Sequence, residues 1–491
     1  MLPPSLEELI TVNHPVRIVN QIIDRINIEP LLKKYKGGGT SSYHPRMLLK
    51  VLVYSYLNNT YSSRQMEKAV NENIHFMWLA GMSKPDHNTL NRFRSDRLKD
   101  VLKVIFGQVV ELLVESGNLS LKEVYTDGTK IEAQANRYTF VWGNGIKTKK
   151  AQMEERLKEL WDYAEGIASK ELKDAEPIEF TPISAKKVER FVDAIDKALE
   201  GKEVSKEKRQ QLNHIRRHWP KTLKKYKAQE KLLGKRGSYS KTDPDATFMR
   251  LKDDMRRTPQ LRPAYNLQLS SQNQYIVNYT LHQSPTDTTT LKSHIDSFKE
   301  LYKKDPDVLV ADAGYGSEEN YQMLNRRKIQ GYVKHNQFNR SLKIKKPDPF
   351  RPENFAYDEK QDVAICPSGK PMDPVAINLN TTANGFKQRI VKYKARSCRG
   401  CILKEKCNPQ PGNKIIGINH RLRKLKAQAD ERLNSEQGKA HRRQRGIDVE
   451  TVFANIKHNK KYKRFILRGL EKVEIETGLL AIAHNLAKLA K

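Results

Sequence analysis

The stretch Val308-Leu-Val-Ala-Asp312-Ala-Gly-Tyr-Gly316 decides how the chain is read. A β-branched apolar run that stops on an acid is a strand whose last side chain reaches a crevice. A second run ends the same way, Val124-Tyr-Thr-Asp127-Gly128. A third acid sits in Gly446-Ile-Asp-Val-Glu450-Thr-Val-Phe-Ala-Asn-Ile-Lys457, whose apolar spacing is helical. Hard divalent cations such as Mg²⁺ take carboxylate oxygens, so these three acids, brought together by folding, would suit a two-metal site for phosphoryl transfer. Asp127 also has a plainer reading, and Glu450 has a rival. Asp127-Gly128 is a strong hairpin signal, and alone it reads as a turn between two short strands, the second over Lys130–Gln134. Asp448 rivals Glu450, but two positions away on a helix it points to roughly the opposite side. Glu450 and Lys457, seven residues apart, fall on nearly one stripe at 3.6 residues per turn, which lets the acid face metal while the lysine meets a phosphate.

Around these segments the pattern is mixed α/β. Strand-like runs at 265–269 and 275–281 precede a helix over 289–302, the 308–311 strand, a helix after Ser317 and a short strand at 331–334. Residues 1 to about 120 read as helical, and 147–239 as a highly charged helical insertion. Residues 337–435, rich in Pro, Lys and Asn, read as an irregular insertion, and two helices, 446–460 and 471–490, close the chain. Short N-terminal helices joined by tight turns, with Arg64, Arg92 and Arg94 on exposed faces, fit a helix-turn-helix DNA reader. They fit equally a plain helical bundle with solvated arginines. No tandem repeat stands out.

The chain has 491 residues, with 90 Lys+Arg against 57 Asp+Glu and a formal charge of +33. That length implies more than one domain. An excess spread over the whole chain favours a polyanionic partner, above all nucleic acid, over a merely solvated basic surface. No apolar stretch is long enough for a membrane span, and the N-terminus lacks the basic and apolar regions of a leader, so a soluble, cytoplasmic protein is expected. Four cysteines cannot frame a chain this long with disulfides, which suits a reducing compartment. Cys398-Arg-Gly-Cys401 has the spacing of a zinc knuckle, with Cys366 and Cys407 as further ligands for a structural Zn²⁺. Reduced structural thiols are the alternative, since Cys366 has no paired cysteine beside it.

Glu450-Thr-Val-Phe-Ala-Asn-Ile-Lys457, Arg464-Phe-Ile-Leu-Arg468-Gly-Leu, Asp127-Gly-Thr-Lys-Ile-Glu-Ala and Asp312-Ala-Gly-Tyr-Gly-Ser-Glu-Glu-Asn together resemble the DDE transposases of bacterial insertion sequences. Arg46-Met-Leu-Leu-Lys-Val-Leu, Ser63-Arg64-Gln65 and Pro85-Asp86-His87-Asn88-Thr89 to Phe93-Arg94 are similar to the helical domain that precedes the catalytic domain in one branch of that family. The resemblance implies an RNase H-like five-stranded mixed sheet with flanking helices, preceded by an all-α domain and interrupted by two insertions. In these terms 1–120 is a DNA-binding domain, 121–146, 240–336 and 436–491 the catalytic domain, 147–239 the helical insertion and 337–435 the cysteine-containing one. It also implies Asp127, Asp312 and Glu450 as catalytic ligands of two Mg²⁺ or Mn²⁺ ions. The implied partners are double-stranded DNA, as inverted-repeat ends and target, and further copies of the chain; the implied setting is the bacterial nucleoid. Relatives often place a phosphate-gripping arginine four residues before the glutamate. Here that position is Gly446, which leaves the role open among Arg442, Arg443 and Arg445. Trp142 matches an aromatic common in this branch and could stack on an unpaired base, although core packing explains a lone Trp as well. A nuclease of the same fold, a silent domesticated DNA-binding protein and a basic RNA-binding protein are the rival functions.

Overall fold

The computed structural model describes residues 4–35, 43–169, 172, 179, 181–251, 260–343, 348–382 and 384–491. Residues 1–3, part of the stretch read for a leader, lie outside them. The chain divides into two compact units: one of Met1–Ile131, Asn266–Leu467 and Glu471–Lys491, the other of Glu132–Tyr265 and Arg468–Leu470.

The main sheet includes β1 (Glu123–Glu132), β2 (Leu261–Gln272), β3 (Tyr275–His282), β4 (Val308–Ala311) and β5 (Gln330–Val333), of which Glu132 and Leu261–Tyr265 belong to the second unit and the rest to the first. Its order is β3-β2-β1-β4-β5. β2 and β3 are antiparallel, with Asn266 opposite His282, whereas β1 runs parallel to β4 and β4 to β5. This mixed sheet with flanking helices is consistent with an RNase H-like transposase. Buried on both faces, β4 reads as a continuous apolar run, as parallel strands do. Thr126 Oγ1 and Ser270 Oγ, 2.7 Å apart and buried, tie β1 to β2, and Ser270 continues to His294 on the Leu291–Tyr302 helix.

β1 corrects one reading. Asp127-Gly128 is not a turn; a single strand runs from Glu123 to Glu132. Pairing with β4 ends at Thr126 opposite Ala311, so Asp127 and Asp312 stand side by side just past the paired ends of two parallel strands.

The N-terminal region is helical. Pro45–Leu57 starts with Pro at its first turn under a His44 cap and is buried nearly all round, the mark of a central helix. Asp86 caps His87–Arg92 by accepting from Thr89 N at 2.7 Å. A π-helical turn, Phe93–Arg97, follows. Arg94 lies on the buried face with Leu90 and Phe93, the i, i+3, i+4 spacing of an ordinary helical face, and Phe93 and Arg94 are each only 2% exposed. The Arg94 guanidinium donates to Tyr61 O at 2.8 Å and to Tyr56 Oη at 3.3 Å. Its assignment to an exposed DNA-reading face is therefore overturned; Arg64 and Arg92 are exposed.

Residues 337–435 are not irregular. They hold an antiparallel sheet of Ala356–Asp358, Val363–Ile365, Pro371–Thr381, Lys387–Ala395 and Ile415–Ile418, followed by the His420–Asn434 helix. Two prolines in the Pro371–Thr381 strand hid it, because proline in a run argues against a strand. Here the ladder absorbs them with a register shift between Pro374 and Ala376.

The second unit contains the Gly143–Ile167, Ala185–Ala198 and Lys206–Leu233 helices, around a core that includes Leu157, Phe191, Ile195 and Trp219. Phe140–Trp142 pairs with Ser238–Ser240, and Thr247–Arg250 pairs with the first residues of β2. Among the described residues no helix is long and apolar enough to cross a membrane.

Candidate active site

Asp127 enters the site from within β1, one residue past its last pairing with β4, Asp312 from the end of β4, and Glu450 from the late helical segment. That segment is placed by the Glu436–Arg445 helix, capped by Ser435, whose Oγ accepts from Gly438 N at 3.0 Å. A Cβ on Gly438 would lie 2.0 Å from Arg432 O, so only glycine lets the preceding helix approach this closely. His441 anchors the helix on the sheet: its Nδ1 is 3.1 Å from Tyr125 Oη, and its ring packs against Tyr332.

Arg445 ends this helix, and its guanidinium lies among all three acids. Nη2 donates to Asp127 Oδ2 at 2.7 Å and stands 3.9 Å from Asp312 Oδ2, while Nη1 donates to Glu450 Oε1 at 3.1 Å. The Arg445 side chain is 8% exposed; those of Asp127, Asp312 and Glu450 are 22%, 45% and 59% exposed. Gly446–Glu450 is a π-helical turn. Five residues make one turn there instead of about four, so Arg445 and Glu450 share a face although the arginine lies five positions before the acid. Gly446, at the four-residue position, cannot supply a cation.

Burial pushes the Asp127 carboxyl above the ordinary aspartate range. Arg445 and the Gly128 N–H pull it down, and Asp312 and Asp287 push it further up. Asp287 was not singled out in the sequence. It follows β3 in a Thr-rich loop without a strand-end signature, and only the fold brings it here. Its Oδ1 accepts from Asn266 Nδ2 at 2.8 Å and Gln268 Nε2 at 2.9 Å, and a Cβ on Gly314 would come within 3.3 Å of its Oδ2.

Asp448, the rival acid, is fully buried, and its Oδ1 accepts from Gln274 N at 3.0 Å. Lys457 is half-buried in a further π-helical turn, Asn455–Asn459, so the 3.6-residue reckoning that placed it on the Glu450 stripe does not hold. Arg442 lies over the Phe338 ring at 5.2 Å, and Arg443 is exposed. Trp142, in the second unit, is 37% exposed on a short strand and packs against Phe140 and Phe248. It is therefore not a core residue.

Carboxylate oxygens are the donor set that Mg²⁺ or Mn²⁺ takes, and the position of Arg445 shows that a cation is accommodated among them. The residues fit a divalent ion by their chemistry. Among the described residues, however, no three His, Cys, Asp or Glu are arranged as a ready metal cage. This holds for the thiols too. Cys366, Cys398 and Cys407 pack against the small antiparallel sheet, and the Cys407 thiol is pushed up by burial and by the charges of the other three.

Residues 4–96 match a family model described as Transposase domain (DUF772), and residues 365–490 match one described as Transposase DDE domain. These domains indicate a transposase. Their order along the chain is consistent with a DDE transposase of an insertion sequence, a mobile element. Glu450 lies in the second matched stretch; Asp127 and Asp312 precede it. No curated protein and no solved structure matches the chain.

Proposed function

We propose that the protein binds the terminal inverted repeats of its insertion sequence, cleaves DNA there by metal-dependent phosphoryl transfer, and joins the freed 3′-ends to target DNA. The observation that carries this reading is the convergence of Asp127, Asp312 and Glu450 on one guanidinium. Asp127, Asp312 and Glu450 would hold divalent metal, which would supply activation of a water or 3′-hydroxyl and stabilisation of the leaving oxygen. The chain supplies position. Asp127 is fixed by the Gly128 N–H, which donates to its Oδ1 at 2.8 Å, and Asp312 by the end of β4. Arg64, Arg92, Arg443 and Lys457 are the cations we assign to the phosphate backbone, and Trp142 is the residue we assign to base stacking. Because two ends must be processed together, the acting form is a dimer or larger assembly, at work on DNA in the bacterial cytoplasm. A structural Zn²⁺ held by Cys366, Cys398, Cys401 and Cys407 is part of the same proposal and rests on the Cys398–Cys401 spacing rather than on a formed cage.

The test is substitution. Asp127→Ala, Asp312→Ala and Glu450→Ala are each expected to abolish cleavage of end DNA in Mg²⁺ while leaving end binding largely intact. Full cleavage by any one of them would reject its assignment.

A further inference from the structure

Arg445 has a second property beyond its spacing from Glu450. It is the most buried member of the cluster, and its two terminal nitrogens are engaged by the carboxylates that would hold metal. Asp127 and Glu450 are each hydrogen-bonded to it, and Asp312 lies within ion-pair distance. A guanidinium presents its donors in a rigid planar fork. It can bridge separate carboxylates at once, and while it does so the oxygens that face it are unavailable to another cation. Nor can the acids approach one another around a smaller ion while the planar group lies among them.

We infer that Arg445 is the internal counter-ion of the acid cluster, holding the three carboxylates in place and competing directly with divalent metal for them. This rests on the reading of Asp127, Asp312 and Glu450 as metal ligands. Arg445 is in this sense a positioning residue. It holds the acids against their mutual repulsion, and it sets the metal concentration at which they load.

The experiment uses the full chain without DNA. Mn²⁺ affinity is read from the free-ion paramagnetic signal, and melting temperature is measured in chelator and in saturating Mn²⁺, for the wild type, Arg445→Ala, Arg445→Lys and the double variant Arg445→Ala/Asp127→Asn. Arg445→Ala is expected to melt lower than wild type in chelator and to recover that deficit in Mn²⁺. It is also expected to bind Mn²⁺ at least about fivefold more tightly, the lower end of ordinary couplings between two ligands. Arg445→Lys, which keeps the charge but loses the fork, should fall between them, and it keeps the test open if the alanine variant does not fold. Mn²⁺ affinity that is equal or weaker in both single variants would overturn the inference while leaving the ligand assignment standing. Tight binding that survives unchanged in the double variant would place the ion elsewhere, and absence of binding in every form would remove the ligand assignment; either result also overturns the inference.

Discussion

Gly128 is the position where one methyl group should do the most damage to the site. A Cβ there would stand 2.4 Å from Gln268 Nε2, 2.7 Å from Asp287 Oδ1 and 3.1 Å from Gln268 Cδ. The end of a long side chain would ordinarily swing aside at little cost, but this one is pinned. Gln268 is fully buried; its Nε2 donates to Asn266 Oδ1 and to Asp287 Oδ1, each at 2.9 Å, and its Oε1 accepts from the buried Tyr315 hydroxyl. Moving the amide breaks or bends three hydrogen bonds, one of them to a carboxylate. At roughly 1 kcal/mol for a neutral bond and 1.5–3 kcal/mol for a charged one, losing all three would cost about 3.5–5 kcal/mol; because some bend rather than break, Gly128→Ala should cost about 2–4 kcal/mol of stability, at the upper end of ordinary overpacking. The strain falls on the residue next to Asp127 and on Asp287. A displacement of about 1 Å at a reacting group can cost on the order of 100-fold in rate. The assay is a thermal melt together with cleavage of labelled end DNA in Mg²⁺, with end binding as the control. A lower melting temperature, near-normal binding and cleavage reduced by about two orders of magnitude are expected. Wild-type melting and wild-type cleavage in Gly128→Ala would refute the packing argument.

Arg94→Ala should lose about 3–5 kcal/mol of stability, because it strips the cation from a buried network that reaches Glu476 through Tyr56, whereas Arg92→Ala, exposed, should stay within about 0.5 kcal/mol; comparing their denaturant midpoints checks this. Burial raises the Glu476 carboxyl above its ordinary value, against Arg94 and the backbone N–H groups of Ile466 and Leu467. A raised folded-state value stabilises the fold fully below the unfolded value of about 4.3 and loses that contribution as pH rises through the folded value. The stability of the wild type relative to Glu476→Gln should therefore fall with rising pH across that window, and a pH-independent difference in melting temperature would contradict it. Protein purified without chelator should carry about one zinc per chain, as a four-thiolate site requires; less than about half an equivalent by elemental analysis would remove the zinc proposal.

Much of this arrangement was legible because strands announce their ends. The apolar runs before Asp127 and Asp312 marked two acids that reach a crevice, and the register of Thr126 with Ala311 sets them side by side, although β1 runs on past Asp127 to Glu132 where a stop was expected. Part of what the sequence concealed has its physical cause in two π-helical turns, Gly446–Glu450 and Asn455–Asn459. Each adds a residue to a turn, so faces counted at 3.6 residues per turn rotate. This is why Arg445 faces Glu450 from five positions away, and why the stripe argument for Lys457 fails. Asp287 was hidden differently. Its neighbours Asn266 and Gln268 lie on β2, and nothing local in its loop marks a residue that only tertiary structure brings to Asp127.

The central claim is that these three carboxylates perform DNA transposition chemistry. Its most direct test is an assay in Mg²⁺ on labelled DNA carrying the element's own end, with target DNA present, comparing the wild type with Glu450→Gln. Cutting at the end followed by joining to target is expected, with both lost in the variant although it still binds. Metal-dependent cutting without end preference or joining would contradict it in favour of a nuclease, and binding without any chemistry in the wild type would contradict it in favour of a silent DNA-binding protein.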